Sequence, residues 1–179
     1  MTALQWGSPL TLADLESMPE DGHRYELIDG TLLVTPAPNT RHQRCVAHLL
    51  AALVTAAGPD LEVLPAPYDW VAGPSTLFQP DVLVARRGDL GPKRLERPPL
   101  LVIEVLSPST RRIDLATKRM AYADAGVAGY WLVDPDVPSL TVLALDAGGY
   151  AEVVTVAGDE PWEAQTPIRA TIVPARLVD

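Results

Sequence analysis

Two acidic residues in otherwise apolar segments stand out for their chemistry. Asp81 follows Gln79-Pro80 and precedes Val-Leu-Val-Ala, and Glu104 lies within Leu-Leu-Val-Ile-Glu-Val-Leu. A carboxylate in such a strand is costly to bury unless it is paired or binds a metal ion. Two of them on neighbouring strands predict a shared divalent cation such as Mg²⁺, which prefers oxygen ligands.

A plainer interpretation stays open for the first of the two. Asp81 directly follows a proline, so its side chain also suits the capping of a turn. Glu104 has fewer such explanations, because glutamate is almost never fully buried without a partner. The metal interpretation therefore depends on the two residues together.

A lysine follows the second acidic strand at a spacing that suits the same site. Lys118 lies about eight residues, or roughly 12 Å, into a helix predicted over residues 111–125. Helical side chains lean toward the N-terminus, so a helix running back along the strand brings the ammonium near Glu104. The alternative is an i,i+4 ion pair with Asp114 on a solvated helix face.

The elements around these residues predict a single mixed sheet. Runs 24–28 and 31–35 flank Asp29-Gly30, which indicates a hairpin with Glu26 opposite Leu33. A helix over 41–57 follows, capped by Asn39 or Thr40. The order strand–helix–strand across 100–134 predicts one parallel crossover, and runs 140–145, 150–156 and 168–177 are strand-like. We therefore expect an α/β fold, with a mixed sheet, flanking helices and an antiparallel C-terminal extension.

Composition narrows the class of protein. The 179 residues suit one domain, predicted over 1–179, and 14 basic against 23 acidic residues leave a net charge of −9. That charge argues against charge-driven coating of nucleic acid or membrane, but not against a site where a metal supplies positive charge. The single Cys45 excludes an intramolecular disulfide. With no signal peptide or membrane-spanning stretch visible, we expect a cytoplasmic protein.

The ordered set of motifs resembles the PD-(D/E)XK nuclease superfamily, and within it the Uma-type family of restriction-endonuclease-like proteins. The resemblance is carried by Pro80-Asp81, Glu104, Ser107-Pro-Ser-Thr-Arg, Lys118 and Tyr130-Trp-Leu-Val-Asp-Pro, and by the earlier Tyr25-Glu-Leu-Ile-Asp-Gly and Arg41-His-Gln. It implies a restriction-endonuclease-like core. It also implies Mg²⁺-dependent hydrolysis of phosphodiester bonds in nucleic acid, with DNA the expected substrate and Mn²⁺ a substitute ion.

The resemblance also implies roles for individual residues. Asp81, Glu104 and the Val105 carbonyl would hold the metal, while Lys118 and Glu26 would complete the catalytic set. One departure is clear, because Leu106 stands where the superfamily has a lysine, and Lys118 is its match from the following helix. For Glu26, a solvent-facing position on the hairpin stays an equal alternative.

Two further groups are weaker candidates. His42 and Gln43 open the long helix, where a polar side chain either approaches the site or fills an exposed first turn, the second being favoured. The segment 86–97 links the two acidic strands and either contacts a phosphate backbone or is a solvated loop. Its basic residues are Arg86, Arg87, Lys93, Arg94 and Arg97.

Two functions from different classes stay open. The first is a metal-dependent endodeoxyribonuclease, and the second is a catalytically degenerate nuclease-fold dimer that acts as a binding module. The acidic charge and Leu106 favour the second. A glycosidase with paired carboxylates is disfavoured, because only 6% of the residues are aromatic. Under either function we expect a homodimer, since the uncharged runs 140–145 and 150–156 need cover.

Overall fold

The N-terminal hairpin forms at the predicted register. The computed structural model describes residues 9–19 and 21–179. In it β1 (Arg24–Ile28) pairs antiparallel with β2 (Thr31–Thr35), with Glu26 opposite Leu33. Asp29 and Gly30 both adopt positive φ, 48° and 78°, as a two-residue hairpin turn requires.

This hairpin belongs to a five-stranded sheet with the order β2-β1-β5-β4-β7. The other strands are β4 (Asp69–Gly73), β5 (Thr76–Phe78) and β7 (Arg94–Leu95). The sequence predicts a single sheet, whereas the structure has this sheet, a six-stranded sheet and a separate two-stranded one. The additional strands β5 and β7 are three and two residues long, which is too short for a periodic pattern.

The second sheet has six strands in the order β11-β10-β9-β8-β6-β3. Only β8 and β9 pair in parallel within it, so the predicted crossover and the mixed α/β fold are confirmed. Its strands are β3 (Leu61–Pro65), β6 (Val82–Arg86), β8 (Leu101–Val105), β9 (Gly129–Asp134), β10 (Ser139–Asp146) and β11 (Gly149–Ala157). A separate hairpin joins β12 (Trp162–Ala164) to β13 (Ala170–Ile172).

Helices cover both faces of the six-stranded sheet. Helix α1 (Leu12–Leu15) has a capping box between Thr11 and Asp14, and α2 (Thr40–Ala56) is capped by Asn39. The helix predicted over 111–125 forms over 111–124, and within it a π-helical segment (Ile113–Lys118) precedes α3 (Arg119–Asp124). Two 3₁₀ turns span Arg87–Asp89 and Pro174–Leu177. No helix in the described ranges is long and apolar enough to cross a membrane.

The hydrophobic core lies on both faces of the six-stranded sheet. On one face α2 buries Cys45, Leu49 and Leu53 against alternate residues of the central strands. On the other face, the remaining residues of those strands pack against α3 and the five-stranded sheet. Leu83 and Val102 belong to this second face. The candidate site lies at one end of this second face.

Candidate active site

Asp81 and Glu104 lie on the same face of the six-stranded sheet. Leu83 and Val102 are register partners on β6 and β8, and both belong to the core cluster beside α3. Each acidic residue lies two positions along the chain from one of them, so both carboxylates face the same side. Both are almost fully buried, at 3% and 2% exposure. The turn-cap alternative for Asp81 does not account for this burial.

The carboxylate of Asp81 is held by three groups. Its Oδ1 accepts a hydrogen bond from Arg24 Nη1 at 2.8 Å, and its Oδ2 lies 3.0 Å from His42 Nε2. The Val105 N–H also donates to Oδ2, at 2.9 Å. Burial alone would raise the pKa of Asp81, but His42 and Arg24 outweigh it and hold that pKa well below its usual range. Asp81 is therefore ionised.

Lys118 is enclosed by three carboxylates. Its Nζ lies 2.9 Å from Glu104 Oε1, 3.2 Å from Glu26 Oε2 and 3.7 Å from Asp114 Oδ1. The side chain is only 1% exposed. Burial by itself would lower the pKa of Lys118, but the carboxylates, Glu104 foremost, raise it above its ordinary value. The ammonium therefore stays charged, and the solvated helix-face alternative is wrong.

Glu104 lies at the centre of the cluster. Its Oε1 also accepts a 2.6 Å hydrogen bond from the Tyr122 hydroxyl, which adds to the ammonium contact. Burial raises the pKa of Glu104 to about 8; Lys118 opposes the shift, and Asp81, Asp114 and Glu26 add to it. Burial among other acids therefore disfavours the charged form of Glu104, and the Lys118 ammonium opposes this effect.

The first hairpin contributes Glu26 and Arg24 to the site. Glu26 is fully buried, and its Oε1 accepts a 2.9 Å hydrogen bond from the Gln79 N–H, so the solvent-facing alternative is wrong. Arg24 lies two residues earlier on β1, and therefore on the same face of that strand. The hairpin brings one acid and one cation to the same cluster.

The π-helical segment positions Lys118. The Tyr130 hydroxyl on β9 donates a 3.0 Å hydrogen bond to the backbone carbonyl of Asp114 inside this segment. An outside donor on a helical carbonyl is one cause of local distortion of a helix, and π turns are frequent at functional sites. Asp114 is 1% exposed, and its Oδ1 has no hydrogen-bond partner among the described residues.

A cleft leads to one side of the cluster. Its volume is about 340 Å³, and a second cavity of about 230 Å³ adjoins it, sharing Arg24, His42 and the segment 35–38. Asp81 lines the first cavity and the loop 107–110 lines the second. Glu26, Glu104 and Lys118 line neither cavity. The cleft therefore reaches the cluster at Asp81, with the other carboxylates behind it.

The two residues that open α2 have different positions. The sequence favours an exposed first turn for both, which is wrong for His42 because that ring is buried against Asp81. The ring lines both cavities, and its Nδ1 has no partner in the part of the chain described. Gln43 is exposed and lines the larger cavity.

The basic segment 86–97 does not face the cleft. Arg86 lies at the opposite end of β6 from Asp81, roughly 17 Å away at the rise of a strand. The acidic side chains of Glu62, Glu96, Glu16 and Asp89 neutralise most of its cations. The ion pairs are Arg87–Glu62, Arg94–Glu96, Arg94–Glu16 and Arg97–Asp89, while Lys93 is exposed. A nucleic-acid surface on this segment therefore gains no support from the geometry.

The two residues that follow Glu104 were given different expectations by the resemblance. Leu106, at the superfamily's lysine position, is buried in the core cluster beside α3. Lys118 meets Glu104 from the crossover segment instead. Val105 contacts Asp81 through its N–H. Its carbonyl as a metal ligand stays a prediction.

Arg24 and Tyr122 are site residues that the sequence reasoning missed. Each had a usable signal, since Arg24 lies two residues from Glu26 on one strand and Tyr122 lies four residues from Lys118 on one helix. The Tyr130 ring lies in the core cluster beside α3. No pattern in the sequence predicts the contact of its hydroxyl with the Asp114 carbonyl.

The side chains present fit a divalent cation that prefers oxygen. Four buried carboxylates (Glu26, Asp81, Glu104 and Asp114) are set against the two permanent cations Arg24 and Lys118, which leaves an excess of negative charge. Among the described residues, no three His, Cys, Asp or Glu side chains form a metal cage. Mg²⁺ suits such a site, because it is commonly held by one or two carboxylates together with water and substrate phosphate.

Comparison with known proteins agrees with this architecture. One solved structure, a "putative nuclease belonging to DUF820" from Anabaena variabilis ATCC 29413, superposes with a TM-score of 0.69 at 20% identity and covers 89% of this chain and 90% of that one. No curated protein matches the chain. Residues 12–175 match the family described as "Uma2: Putative restriction endonuclease". With that match spanning nearly the whole chain, the protein belongs to the Uma2 family of restriction-endonuclease-like proteins.

Proposed function

We propose that this protein is a Mg²⁺-dependent endonuclease that hydrolyses phosphodiester bonds of DNA. The observation that carries the proposal is the meeting of Asp81 and Glu104 on one sheet face, with Lys118 Nζ 2.9 Å from Glu104. Asp81 and Glu104, with the Val105 carbonyl, would hold the cation. When bound there, Mg²⁺ would polarise a phosphodiester and acidify water, as divalent ions do in hydrolases.

The protein's own groups supply the rest of the reaction. The Lys118 ammonium stays protonated between Glu104 and Glu26, so it offsets negative charge that develops on the phosphate and orients the attacking water. Glu26 fixes that ammonium from the other side. The cleft beside Asp81 would admit a phosphate.

One observation favours the second candidate, a catalytically inactive binding module. Both oxygens of Asp81 are already bonded to Arg24, His42 and the Val105 N–H. In a site retained only for structure, protein groups would satisfy the hydrogen bonds of both carboxylate oxygens in this way.

Calorimetric titration with Mn²⁺, followed by incubation of plasmid DNA with Mg²⁺, distinguishes the two candidates. The nuclease binds Mn²⁺ and nicks DNA, and Asp81→Asn abolishes both. A chain that gives no metal-binding heat and leaves DNA intact is the inactive module.

A further inference from the structure

Arg24 lies between the cleft and the buried carboxylates. Its Nη1 donates to Asp81 Oδ1 at 2.8 Å and to the Gln79 carbonyl at 3.1 Å. The side chain is 19% exposed, against 4% for Asp81, and it lines both cavities. Burial alone would lower the pKa of Arg24, but the charges of Asp81, Glu26 and Glu104 outweigh it and raise that pKa. Among the described residues, the guanidinium forms its one ion pair with Asp81.

This contact opposes the binding of a second cation to Asp81. A guanidinium and a divalent ion on one carboxylate repel each other, and the repulsion is strong where water is excluded. His42 and the Val105 N–H occupy the other oxygen, Oδ2. Of the two side chains bonded to Asp81, Arg24 is the more exposed, at 19% against 8% for His42, and it lines the cleft, so its contact on Oδ1 is the more readily exchanged.

We propose that Arg24 is the resident counter-cation of Asp81, which a divalent ion displaces, and that the displaced guanidinium then binds a phosphate of the substrate in the cleft. The proposal rests on the proposed function, because it assigns Asp81 to a metal. Arginine suits both positions, since its planar fork bonds carboxylates and phosphates equally well.

The strand that carries Arg24 allows this exchange without a change of fold. Arg24 is the first residue of β1, paired with Thr35 at the open end of the hairpin, so its backbone is fixed. Its long side chain uses only Nη1 for the contacts seen with Asp81 and Gln79. Further donors on the same guanidinium remain for a phosphate.

The proposal predicts that replacing Arg24 changes the affinities for Mn²⁺ and for DNA in opposite directions, and the test measures both. Calorimetric titration near neutral pH should show that Arg24→Gln binds Mn²⁺ at least about fivefold more tightly than the wild type. A change of about fivefold is at the low end of the usual coupling between two linked binding sites. Fluorescence anisotropy with a labelled DNA duplex in Ca²⁺ should show the same variant binding DNA at least about fivefold more weakly. A merely structural Arg24 would weaken both.

A matched control and a second measurement complete the test. Arg119→Gln removes a half-buried arginine whose side chain, among the described residues, bonds only the Tyr150 carbonyl at 2.7 Å, and it should leave both affinities unchanged. If Arg24→Gln fails to fold, a wild-type crystal soaked in Mn²⁺ decides, and should show Arg24 moved out of hydrogen-bonding distance of Asp81.

The negative outcomes separate the two proposals. Wild-type binding of Mn²⁺ with equal or weaker binding by Arg24→Gln, or with Arg24 still bonded to Asp81 in the soaked crystal, overturns the role of Arg24 alone. Unchanged DNA affinity in Arg24→Gln removes its role in phosphate binding. No Mn²⁺ binding by the wild type overturns the proposed function, and this inference with it.

Discussion

Lys118 Nζ lies 2.9 Å from Glu104 Oε1, and both side chains are removed almost completely from water. The two residues are 14 positions apart and are joined by the crossover between the parallel strands β8 and β9. Removing one partner of a buried ion pair leaves an uncompensated charge, which costs far more than a surface pair contributes. The pair is therefore central to the stability of the fold.

Replacing the ammonium should destabilise the fold strongly. Lys118→Met leaves Glu26, Glu104 and Asp114 facing one another without a cation, and we expect a loss of about 3–5 kcal/mol in unfolding free energy, measured by urea denaturation. Lys93→Met, at the chain's other lysine, which is exposed, should change that energy by less than about 0.5 kcal/mol. Equal losses in the two variants would contradict the buried network.

Stability without metal should fall as pH rises. The pKa of Glu104 is raised from 4.5 to about 8, so between these values the folded state holds a proton that the unfolded state has lost. Unfolding free energy then decreases with pH, by up to about 1.4 kcal/mol per unit. Thermal or urea unfolding across this window measures the slope. Glu104→Gln should flatten it, and a slope equal in both proteins would exclude Glu104 as its source.

Metal binding should depend on the Glu104 carboxylate. Glu104→Gln keeps the side-chain shape but removes the charge, so we expect no Mn²⁺ heat by calorimetry and DNA cleavage reduced at least about hundredfold. Glu152→Gln serves as the control, because that carboxylate is exposed on β11 and, within residues 9–19 and 21–179, bonds only Thr155. Retained metal affinity in Glu104→Gln would remove this residue from the ligand set.

The Tyr130 hydroxyl should hold the π-helical segment. Tyr130→Phe removes its 3.0 Å bond to the Asp114 carbonyl, and we expect a stability loss of about 1 kcal/mol together with a shifted Lys118 ammonium. Because the chain has two lysines, NMR of lysine-labelled protein resolves that shift directly.

Tyr150→Phe is the matched control for this change. It removes a comparable buried bond, to the Val127 carbonyl at 2.7 Å, that lies outside the π-helical segment. The control should lose similar stability without moving the Lys118 signal. A Lys118 signal that is unchanged in Tyr130→Phe would show that the winding does not depend on the hydroxyl.

The homodimer stays a prediction with a structural candidate for its interface. Strand β11 is an edge of the six-stranded sheet, and Val153 on it is 60% exposed. An uncovered β edge invites pairing with a second copy. Light scattering should return about twice the 19.2 kDa chain mass. A monomer at tens of micromolar would contradict the dimer and leave the metal site unaffected.

Local sequence patterns were sufficient for much of the fold. The Asp29-Gly30 turn between alternating runs predicted the hairpin and its register, and Asn39 marked the start of α2. The apolar runs around Asp81 and Glu104 predicted neighbouring strands that could bring the two carboxylates together. These features depend on side-chain period, turn chemistry and caps, all of which act over a few residues.

Tertiary structure alone decided how the site is connected. Arg24 and Asp81 are 57 positions apart, and His42 reaches the same carboxylate from a third element. No local pattern encodes such contacts, because they arise only when the sheets and α2 pack together. The burial of Glu26 and the π winding before Lys118 have the same origin, since the surrounding elements, and not local preference, determine solvent access and outside hydrogen bonds.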